Sequence, residues 1–349
     1  MALFVFGAGA TRGCSFVNED QDPCLPPLDA DFFTQLQRIQ NKKHKTTIQK
    51  VMADVVKLFG PNFDVTLETV FTTLQHTIQM IETTGDRGPY RTTELNATRG
   101  RLEQAIAAVF EDSLTERDSA GGSKRKPRTC DYHSRFVENS LGSGDDIITF
   151  NYDCVLDYAL AKHGNRKWNA RYGYGFDLGA RGTNMTGDKN WQPEEPAKQA
   201  ETVHFFKLHG SLHFLLEEKS GGKLQITLKE RPYTKQQGEK MHFSIIPPEW
   251  YKEVRSLGRL WQQAAVAIRR AKHIVFIGYS LPQTDLHASA LFRTNIQTNL
   301  KSLIVVNPDR LARRRIRTVV QKGFSPDTKV LSFDLSRHFL ALDRSIWET

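Results

Sequence analysis

Residues 1–14 read MALFVFGAGATRGC, and this opening stretch decides the fold. A short apolar run, Leu3 to Phe6, stops at a glycine-rich segment, Gly7 to Gly13. A buried strand that runs straight into such a segment is typical of α/β proteins that hold a phosphate against backbone N–H groups. The stretch therefore predicts the first strand of an α/β sheet and a phosphate-binding loop after it.

The glycine spacing departs from the Gly-x-Gly-x-x-Gly fingerprint of ordinary dinucleotide-binding turns. The glycines are Gly7, Gly9 and Gly13, and Arg12 stands near the place of the usual third glycine. A dehydrogenase also needs an acidic strand end about twenty residues further on to hold the ribose. Here a proline-flanked helix start, PPLDADFF (26–33), follows instead, so the sequence disfavours a hydride-transfer enzyme.

Further strand signals follow residue 145 as nearly continuous apolar runs. They are DIITF (146–150), VHFFKL (203–208), HIVFI (273–277), SLIVV (302–306) and KVLSF (329–333). Continuous apolar strands are typical of a parallel sheet covered by helices on both faces. Helical segments separate several runs, and this alternation predicts a Rossmann-like, doubly wound α/β fold.

A block of helical sequence interrupts this pattern after the first strand. Residues 46–59, 64–84 and 92–114 place apolar residues at spacings of three and four. We therefore predict a catalytic α/β domain formed by residues 1–31 and 129–349. Residues 32–128 are predicted to form a helical insertion subdomain that ends in a basic flexible loop.

Two polar segments are predicted to be loops. In DSAGGSKRKP (118–127), the basic residues Lys124, Arg125 and Lys126 either contact an acidic ligand or are simply solvated. Residues 164–200 are rich in glycine, asparagine and aromatic residues. A loop of that length is usually a functional lid or a disordered segment.

Composition and charge narrow the class of protein. The chain has 349 residues, of which 39% are hydrophobic and 25% charged, as in a globular protein. No apolar run approaches the ~20 residues of a membrane span. The short apolar start lacks the basic leader of a signal peptide, so a cytoplasmic location is expected. The net charge of +9 permits an acidic partner such as nucleic acid.

The cysteines predict no metal. They are Cys14, Cys24, Cys130 and Cys154, and none of them forms a Cys-x-x-Cys pair. Zinc ribbons are built on such pairs, and disulfides are not expected in a reducing compartment. We therefore expect neither a zinc ribbon nor another metal site.

Small and polar residues follow each predicted strand. After the first loop, they are Asn151-Tyr152-Asp153, His209-Gly210-Ser211, Gly278-Tyr279-Ser280 and Asn307-Pro308-Asp309. In open α/β sheets, ligands bind beyond the carboxyl ends of the strands. These residues are therefore predicted to line one crevice.

Together, these segments resemble the sirtuin superfamily. GAGAT (7–11) resembles its first NAD loop, FNYD (150–153) its Gln-Asn-Ile-Asp element, and LHGS (208–211) carries its His-Gly pair. GYSL (278–281) resembles its Gly-Thr-Ser-Leu turn, and VVNPD (305–309) the strand and asparagine at the adenosine end. The resemblance implies a Rossmann-like fold with NAD+ as a consumed substrate.

One branch resembles the chain more closely, the bacterial sirtuin-like proteins of antiviral defence. That resemblance implies hydrolysis of NAD+, with NAD depletion and abortive infection as the outcome. It also implies a homo-oligomer, or a complex with a HerA-type hexameric DNA-translocating ATPase or an Argonaute-type protein, through which nucleic acid would be sensed. The four-cysteine ribbon of deacylating sirtuins is missing, which favours hydrolysis over deacylation.

The resemblance assigns catalytic roles to three residues. Asn151 is expected to orient the nicotinamide ribose and a water molecule, and His209 to act as general base. Asp153 either steadies the nicotinamide amide or caps the helix that begins near Val155. Apart from the resemblance, the place of Asp285 after the GYSL turn predicts that it caps the next helix rather than contacts NAD+.

The resemblance also assigns residues that bind NAD+. The backbone of the first loop and the Thr11 hydroxyl are expected at the pyrophosphate. Arg12 either adds charge there or forms a surface salt bridge. The phosphate and the adenosine ribose are expected to contact residues of the later turns. The predicted binding residues are Gly7, Ala8, Gly9, Thr11, Arg12, Gly278, Ser280 and Asn307.

Three other functions stay open at this stage. They are an NAD-dependent protein deacylase, a non-catalytic NAD or ADP-ribose scaffold, and a basic DNA-binding subunit. The last is suggested by Arg313-Arg314-Arg315 and Arg317, which equally fit the solvated face of a helix.

Overall fold

The main sheet is built from strands at widely separated positions in the chain. The computed structural model describes residues 1–85, 88–117, 125–164, 167–175, 202–219, 223–229, 231–234, 245–247, 257–334 and 344–348. In these residues the strands are β1 (Ala2–Phe6), β2 (Thr115–Arg117), β3 (Arg125–Pro127), β4 (Asp146–Thr149), β5 (His204–Lys207), β6 (Phe214–Lys219), β7 (Lys223–Leu228), β8 (His273–Ile277), β9 (Leu300–Val306) and β10 (Phe324–Phe333).

Six of the described strands form one wholly parallel sheet in the order β10-β9-β8-β1-β4-β5. Numbered by their sequence within this sheet, they follow the 3-2-1-4-5-6 order of Rossmann folds. Every residue of β1 and β4 is buried, because helices cover both faces of the sheet. The predicted Rossmann-like α/β fold is confirmed, and the direction of connection reverses between β1 and β8.

Helices cover the sheet and fill the long segment between β1 and β4. In the described residues they are α1 (Ala8–Arg12), α2 (Phe32–Gln37), α3 (Lys45–Phe59), α4 (Leu67–Thr84), α5 (Thr92–Leu114), α6 (Asp131–Arg135), α7 (Val155–His163), α8 (Ala170–Gly173), α9 (Gly258–Arg270), α10 (Leu286–Asn295), α11 (Arg310–Val320) and α12 (Ser345–Glu348). None of the helices in this part of the chain has the length and apolar character that a membrane crossing requires.

The helices α2 to α5 occupy the region that the sequence predicted to be an insertion. Their apolar faces supply Val55, Leu74 and Ile106 to the same buried cluster that contains Phe4 and Ile148 of the sheet. The block therefore packs as part of a continuous core. Its description as a subdomain with boundaries at 32 and 128 remains a prediction.

The structure corrects part of the loop predicted at 118–127. Residues 125–127 form β3, which pairs antiparallel with β2. The Arg125 guanidinium holds this ribbon by donating to Thr115 Oγ1 at 2.6 Å, and Lys126 pairs with Glu116 at 3.2 Å. Arg125 and Lys126 are therefore used in local pairing. Residues 118–124 lie outside the described part of the chain.

Most of the segment 164–200 also lies outside the described residues, at 165–166 and 176–200. Within 167–175, Trp168 and Tyr174 are fully buried. This short part belongs to the core, and the proposed lid function of the remainder stays a prediction.

Candidate active site

The predicted crevice begins where the first loop meets the turn after β8. The Gly7 amide donates to Ile277 O at 3.0 Å, and the Gly9 amide donates to Gly278 O at 2.9 Å. GAGATR is not an open loop, because Ala8–Arg12 form the short helix α1 directly after β1. The two turns thus form one unit between β1 and β8, where the sheet changes direction.

Close approach of the two backbones explains the glycines. A Cβ on Gly7 would lie 2.5 Å from Tyr279 Cα, and one on Gly278 would lie 2.1 Å from Ala10 N. The amides of Gly7 and Gly9 are donated within the protein, whereas Ala8 is exposed at the start of α1. The contact of this segment with a pyrophosphate stays a prediction.

Gly278→Ala is expected to lower the free energy of unfolding. An unfavourable backbone conformation alone usually costs about 1–3 kcal/mol, and the steric overlap adds to this cost. Gly278 has a φ of +61°, and its new methyl group would also overlap α1. Urea unfolding measures the change. Gly258→Ala is the matched control, because a Cβ there meets nothing within 4 Å. Equal losses in the two variants would contradict the steric explanation.

Asn151 is fixed by α1 and the residue before it. Its Nδ2 donates to Gly7 O and to Thr11 Oγ1, each at 3.1 Å. Because a carbonyl oxygen can only accept, the nitrogen must face Gly7 O. Both Nδ2 hydrogens are used, and among the described residues Oδ1 is left to accept a further hydrogen bond. The half-exposed Asn151 thus presents an acceptor at the carboxyl edge of the sheet.

Thr11 and Asp153 form a hydrogen-bonded chain that holds Asn151 in this orientation. The buried Thr11 hydroxyl donates to Asp153 Oδ2 at 2.7 Å, while Asp153 Oδ1 accepts from the Val155 amide at 3.0 Å. Asp153 therefore makes the predicted helix-capping contact at α7 and also binds α1. The Thr11 hydroxyl is used in hydrogen bonds with Asp153 and Asn151, and its predicted contact with the pyrophosphate stays a prediction. Both side chains position Asn151.

His209 lies after β5, between aromatic rings. Its ring centroid is 5.0 Å from that of Phe150 and 6.4 Å from that of Trp261. The side chain is almost fully buried, and the Ile246 amide donates to His209 O at 2.8 Å. Asn151 follows β4 and His209 follows β5, and these two strands are neighbours in the sheet. The two predicted catalytic residues therefore lie at adjacent strand ends.

Asp285 is a site residue that sequence reasoning assigned only to a helix cap. Its Oδ1 does accept from the Ala288 amide at 3.3 Å, as expected of a cap for α10. Its Oδ2, however, lies 3.5 Å from His209 Nε2 and accepts from Tyr279 Oη at 2.9 Å. A carboxylate beside an imidazole orients the ring and stabilises its protonated form. The sequence feature that could have indicated this role is the position of Asp285 after the GYSL turn, which follows a strand that ends at the same edge as β5.

Arg12 forms a salt bridge, one of the two alternatives left open by the sequence, and its contact with a pyrophosphate stays a prediction. One guanidinium nitrogen, Nη2, pairs with Asp31, and Asp31 also accepts from Gln35 Nε2 at 3.1 Å. The other, Nη1, is buried without a hydrogen-bond partner in the described structure. Burial lowers the pKa of Arg12, so an anion beside it would offset a real desolvation cost. The salt bridge anchors the side chain and leaves one donor for a ligand.

Ser280 and Asn307 lie in the neighbouring turns at the same edge. Asn307 Nδ2 donates to Tyr279 O at 3.0 Å, and its Oδ1 accepts from the Asp309 amide at 2.8 Å. The Ser280 carbonyl accepts from Arg315 Nη2 at 3.1 Å. The Asn307 side chain therefore joins the turns after β8 and β9. A contact of either residue with adenosine remains a prediction.

A buried polar network lies beneath the Asn151–Asp153 segment. Lys207 Nζ donates to Asp157 Oδ2 at 2.7 Å and to Asp153 O at 2.5 Å, and Tyr174 Oη donates to Asp157 Oδ1 at 2.7 Å. Burial alone would lower the pKa of Lys207, but the Asp157 carboxylate outweighs it and raises that pKa. Burial lowers the pKa of the adjoining His213, so its imidazole is a neutral core group.

The parallel sheet and the polar edge at its change of direction define a Rossmann-like α/β protein with a candidate ligand site at that edge. A family model described as a SIR2-like domain matches residues 145–322, about half of the chain. The chain therefore belongs to the SIR2-like domain family, whose domains use NAD+, and an NAD-related enzymatic function follows. The match includes Asn151 and His209, while the first loop lies before it. A comparison with curated proteins gives no match.

Proposed function

We propose that this protein hydrolyses NAD+ to nicotinamide and ADP-ribose. The observation that carries the proposal is the orientation of Asn151, whose Nδ2 is held by Gly7 and Thr11 while Oδ1 remains an acceptor. An acceptor at that position can hold a ribose hydroxyl or the attacking water. Together with SIR2-like family membership, this arrangement supports chemistry at the nicotinamide–ribose bond.

The proposed reaction needs little acid catalysis. The oxygen of water bonds to the anomeric carbon, and the carbon–nitrogen bond breaks with its electron pair going to the pyridinium nitrogen. Nicotinamide leaves neutral, so no proton is needed on the leaving group. His209 accepts the proton that water loses, and Asp285 stabilises the resulting imidazolium at 3.5 Å.

The residues around the first loop fit a bound dinucleotide. Arg12 Nη1 is a buried cationic donor without a partner in the described structure, and phosphate oxygens are strong acceptors for such a group. The exposed start of the same short helix, at Ala8, lies four residues before Arg12. We assign the pyrophosphate to this region.

Arg12→Gln is expected to raise KM for NAD+ about tenfold or more and to change kcat much less. A hydrogen bond to a charged group contributes about 1.5–3 kcal/mol, and this one would be made in the ground state as well as the transition state. Steady-state kinetics measures the split. Arg38→Gln, which removes an exposed arginine from the end of α2, serves as the control. An unchanged KM in Arg12→Gln would leave Arg12 only its salt bridge with Asp31.

Hydrolysis is favoured over deacylation by the placement of the cysteines. All four are buried and unpaired by disulfides, and Cys24 and Cys154 lie apart from Cys14 and Cys130. They do not form the four-cysteine ribbon that accompanies deacylation. The acceptor oxygen of Asn151 and the imidazole of His209 at the same edge of the sheet also weigh against a purely non-catalytic scaffold.

The test is to incubate purified protein with NAD+, alone and with an acetylated peptide. Chromatography measures nicotinamide, ADP-ribose and deacetylated peptide. The proposal predicts release of nicotinamide and ADP-ribose in equal amounts without peptide. Release that depends on peptide would establish the deacylase instead, and NAD+ binding without turnover would establish the scaffold.

For the biological role, we propose a cytoplasmic effector of antiphage defence that depletes NAD+ and causes abortive infection. The resemblance to defence-associated sirtuin-like proteins supports this, as it supports a homo-oligomer or a complex with a HerA-type ATPase or Argonaute-type protein. The basic helix α11 does not favour direct DNA binding, because Arg313 and Arg315 donate to backbone carbonyls of Asn307 and Ser280. Nucleic acid is assigned to the partner. NAD+ levels in infected cells, with and without the neighbouring gene, test this role.

A further inference from the structure

Three metal-ligating side chains from the segment after α1 and the start of α6 form a buried cluster. Cys14 lies two residues after the end of α1, Cys130 directly precedes α6, and His133 lies within α6. All three are buried, and their ligand atoms lie within 4.8 Å of one another. We propose that Cys14, Cys130 and His133 bind a zinc ion.

The separations suit tetrahedral coordination. Cys14 Sγ lies 3.8 Å from His133 Nδ1. Zinc–sulfur bonds of about 2.3 Å and zinc–nitrogen bonds of about 2.0–2.1 Å give a sulfur–nitrogen edge of roughly 3.5 Å in a tetrahedron. A contraction of a few tenths of an ångström therefore brings these two atoms to coordination distance. Two thiolates also neutralise the charge of Zn²⁺.

The surroundings of Cys130 favour a thiolate. The Ser15 amide donates to Cys130 Sγ at 3.4 Å, and Ser15 Oγ donates to the same sulfur at 3.8 Å. Ser15 Oγ in turn accepts from the Asp131 amide at 2.9 Å. Such outer contacts orient metal ligands. Ser15, which contacts Cys130, is exposed, and we assign the fourth ligand to a water molecule on this side of the cluster.

A second cluster of metal-ligating side chains differs from the first because a lysine already lies beside it. Cys154, Asp157 and His213 are also close together and buried. However, the Lys207 ammonium lies 2.7 Å from Asp157 Oδ2, and a second cation there would be repelled. His213 Nδ1 also lies 2.8 Å from Ser211 Oγ. That cluster is satisfied by hydrogen bonds and an ion pair.

The zinc ion would join the end of α1 to the start of α6, which are far apart in sequence. It would thereby fix the segment that begins two residues after Arg12. The absence of Cys-x-x-Cys pairs led the sequence analysis to expect no metal. The spacing that remains in the sequence is Cys130-x-x-His133, one helical turn, and Cys14 is brought to it only by the fold.

The experiment uses the full chain without a polyhistidine tag, and it measures zinc by mass spectrometry and Co²⁺ binding by absorption. We expect about one zinc per chain, and a thiolate-to-cobalt charge-transfer band after exchange. Cys130→Ser should lose most of the bound metal, whereas Cys24→Ser should retain it, because buried Cys24 belongs to no such cluster in the described residues.

The wild-type measurements decide the matter even if Cys130→Ser does not fold. A wild-type protein that retains no zinc and gives no cobalt–thiolate band would overturn the proposal. A Cys14–Cys130 disulfide in non-reducing peptide maps would overturn it as well, as would unchanged metal content in a folded Cys130→Ser protein. None of these readouts depends on NAD+ turnover, so the proposed hydrolase activity stands or falls separately.

Discussion

Asn151→Ala and His209→Ala should each lower kcat for the proposed nicotinamide release by about 10²–10⁴-fold, the usual loss when a positioned acid–base group is removed. Asn151→Ala removes the acceptor held by Gly7 and Thr11. His209→Ala removes the imidazole beside Asp285. The rate is measured by chromatography of nicotinamide at saturating NAD+, and folding by circular dichroism.

Matched controls separate a local chemical effect from a general loss of structure. His204 lies at the amino end of β5, on the strand that His209 follows, and is partly exposed. Asn295 lies at the end of α10. His204→Ala and Asn295→Ala should keep most of the activity. Catalysis at wild-type rates in both Asn151→Ala and His209→Ala would exclude the proposed mechanism.

The pH dependence distinguishes a base from a structural histidine. A general base must be unprotonated, so wild-type kcat should fall as the pH is lowered and the imidazole takes up a proton. His209→Ala should lose this acidic limb in its residual activity. The same acidic limb in the variant and in the wild type would assign the titration to another group.

The strands were the most predictable part of this fold. HIVFI coincides with β8, because a short, continuous run of apolar and β-branched residues is typical of a strand buried on both faces in a parallel sheet. The strand ends also predicted the edge at which Asn151, His209 and Gly278 lie. Both predictions depend on local patterns that are visible in a few consecutive residues.

The partners of those residues could not be predicted, because they come from distant parts of the chain. The Gly7 and Gly9 amides appear available in sequence, but Ile277 and Gly278 accept from them across the contact of β1 with β8. The approach of Asp285 to His209 likewise depends on the packing of two separate turns. The chemical groups of the site could be identified in the sequence, but which of them contact each other depends on the order of the strands in the sheet.

Lys207→Met is expected to lower the free energy of unfolding by about 3–5 kcal/mol, the usual cost of removing one partner of a buried ion pair. Lys207 and Asp157 are both about 1% exposed in their side chains, and their charged atoms are 2.7 Å apart. The variant leaves the Asp157 carboxylate in the core without its cation. Denaturant unfolding measures the loss. Lys57→Met, which breaks an exposed pair with Glu94, should cost only about 0–1 kcal/mol.

A double variant separates the stability of this pair from its effect on the site. Lys207→Met with Asp157→Leu removes both charges, so most of the lost stability should return. Asp153 O, however, still lacks the ammonium that holds it at 2.5 Å, and Asp153 positions Thr11 and through it Asn151. The double variant should therefore fold but retain a reduced kcat, with KM for NAD+ nearly unchanged. Recovery of both stability and kcat would show that Lys207 serves the core alone, because its contact with the Asp153 carbonyl would then have no influence on Asn151.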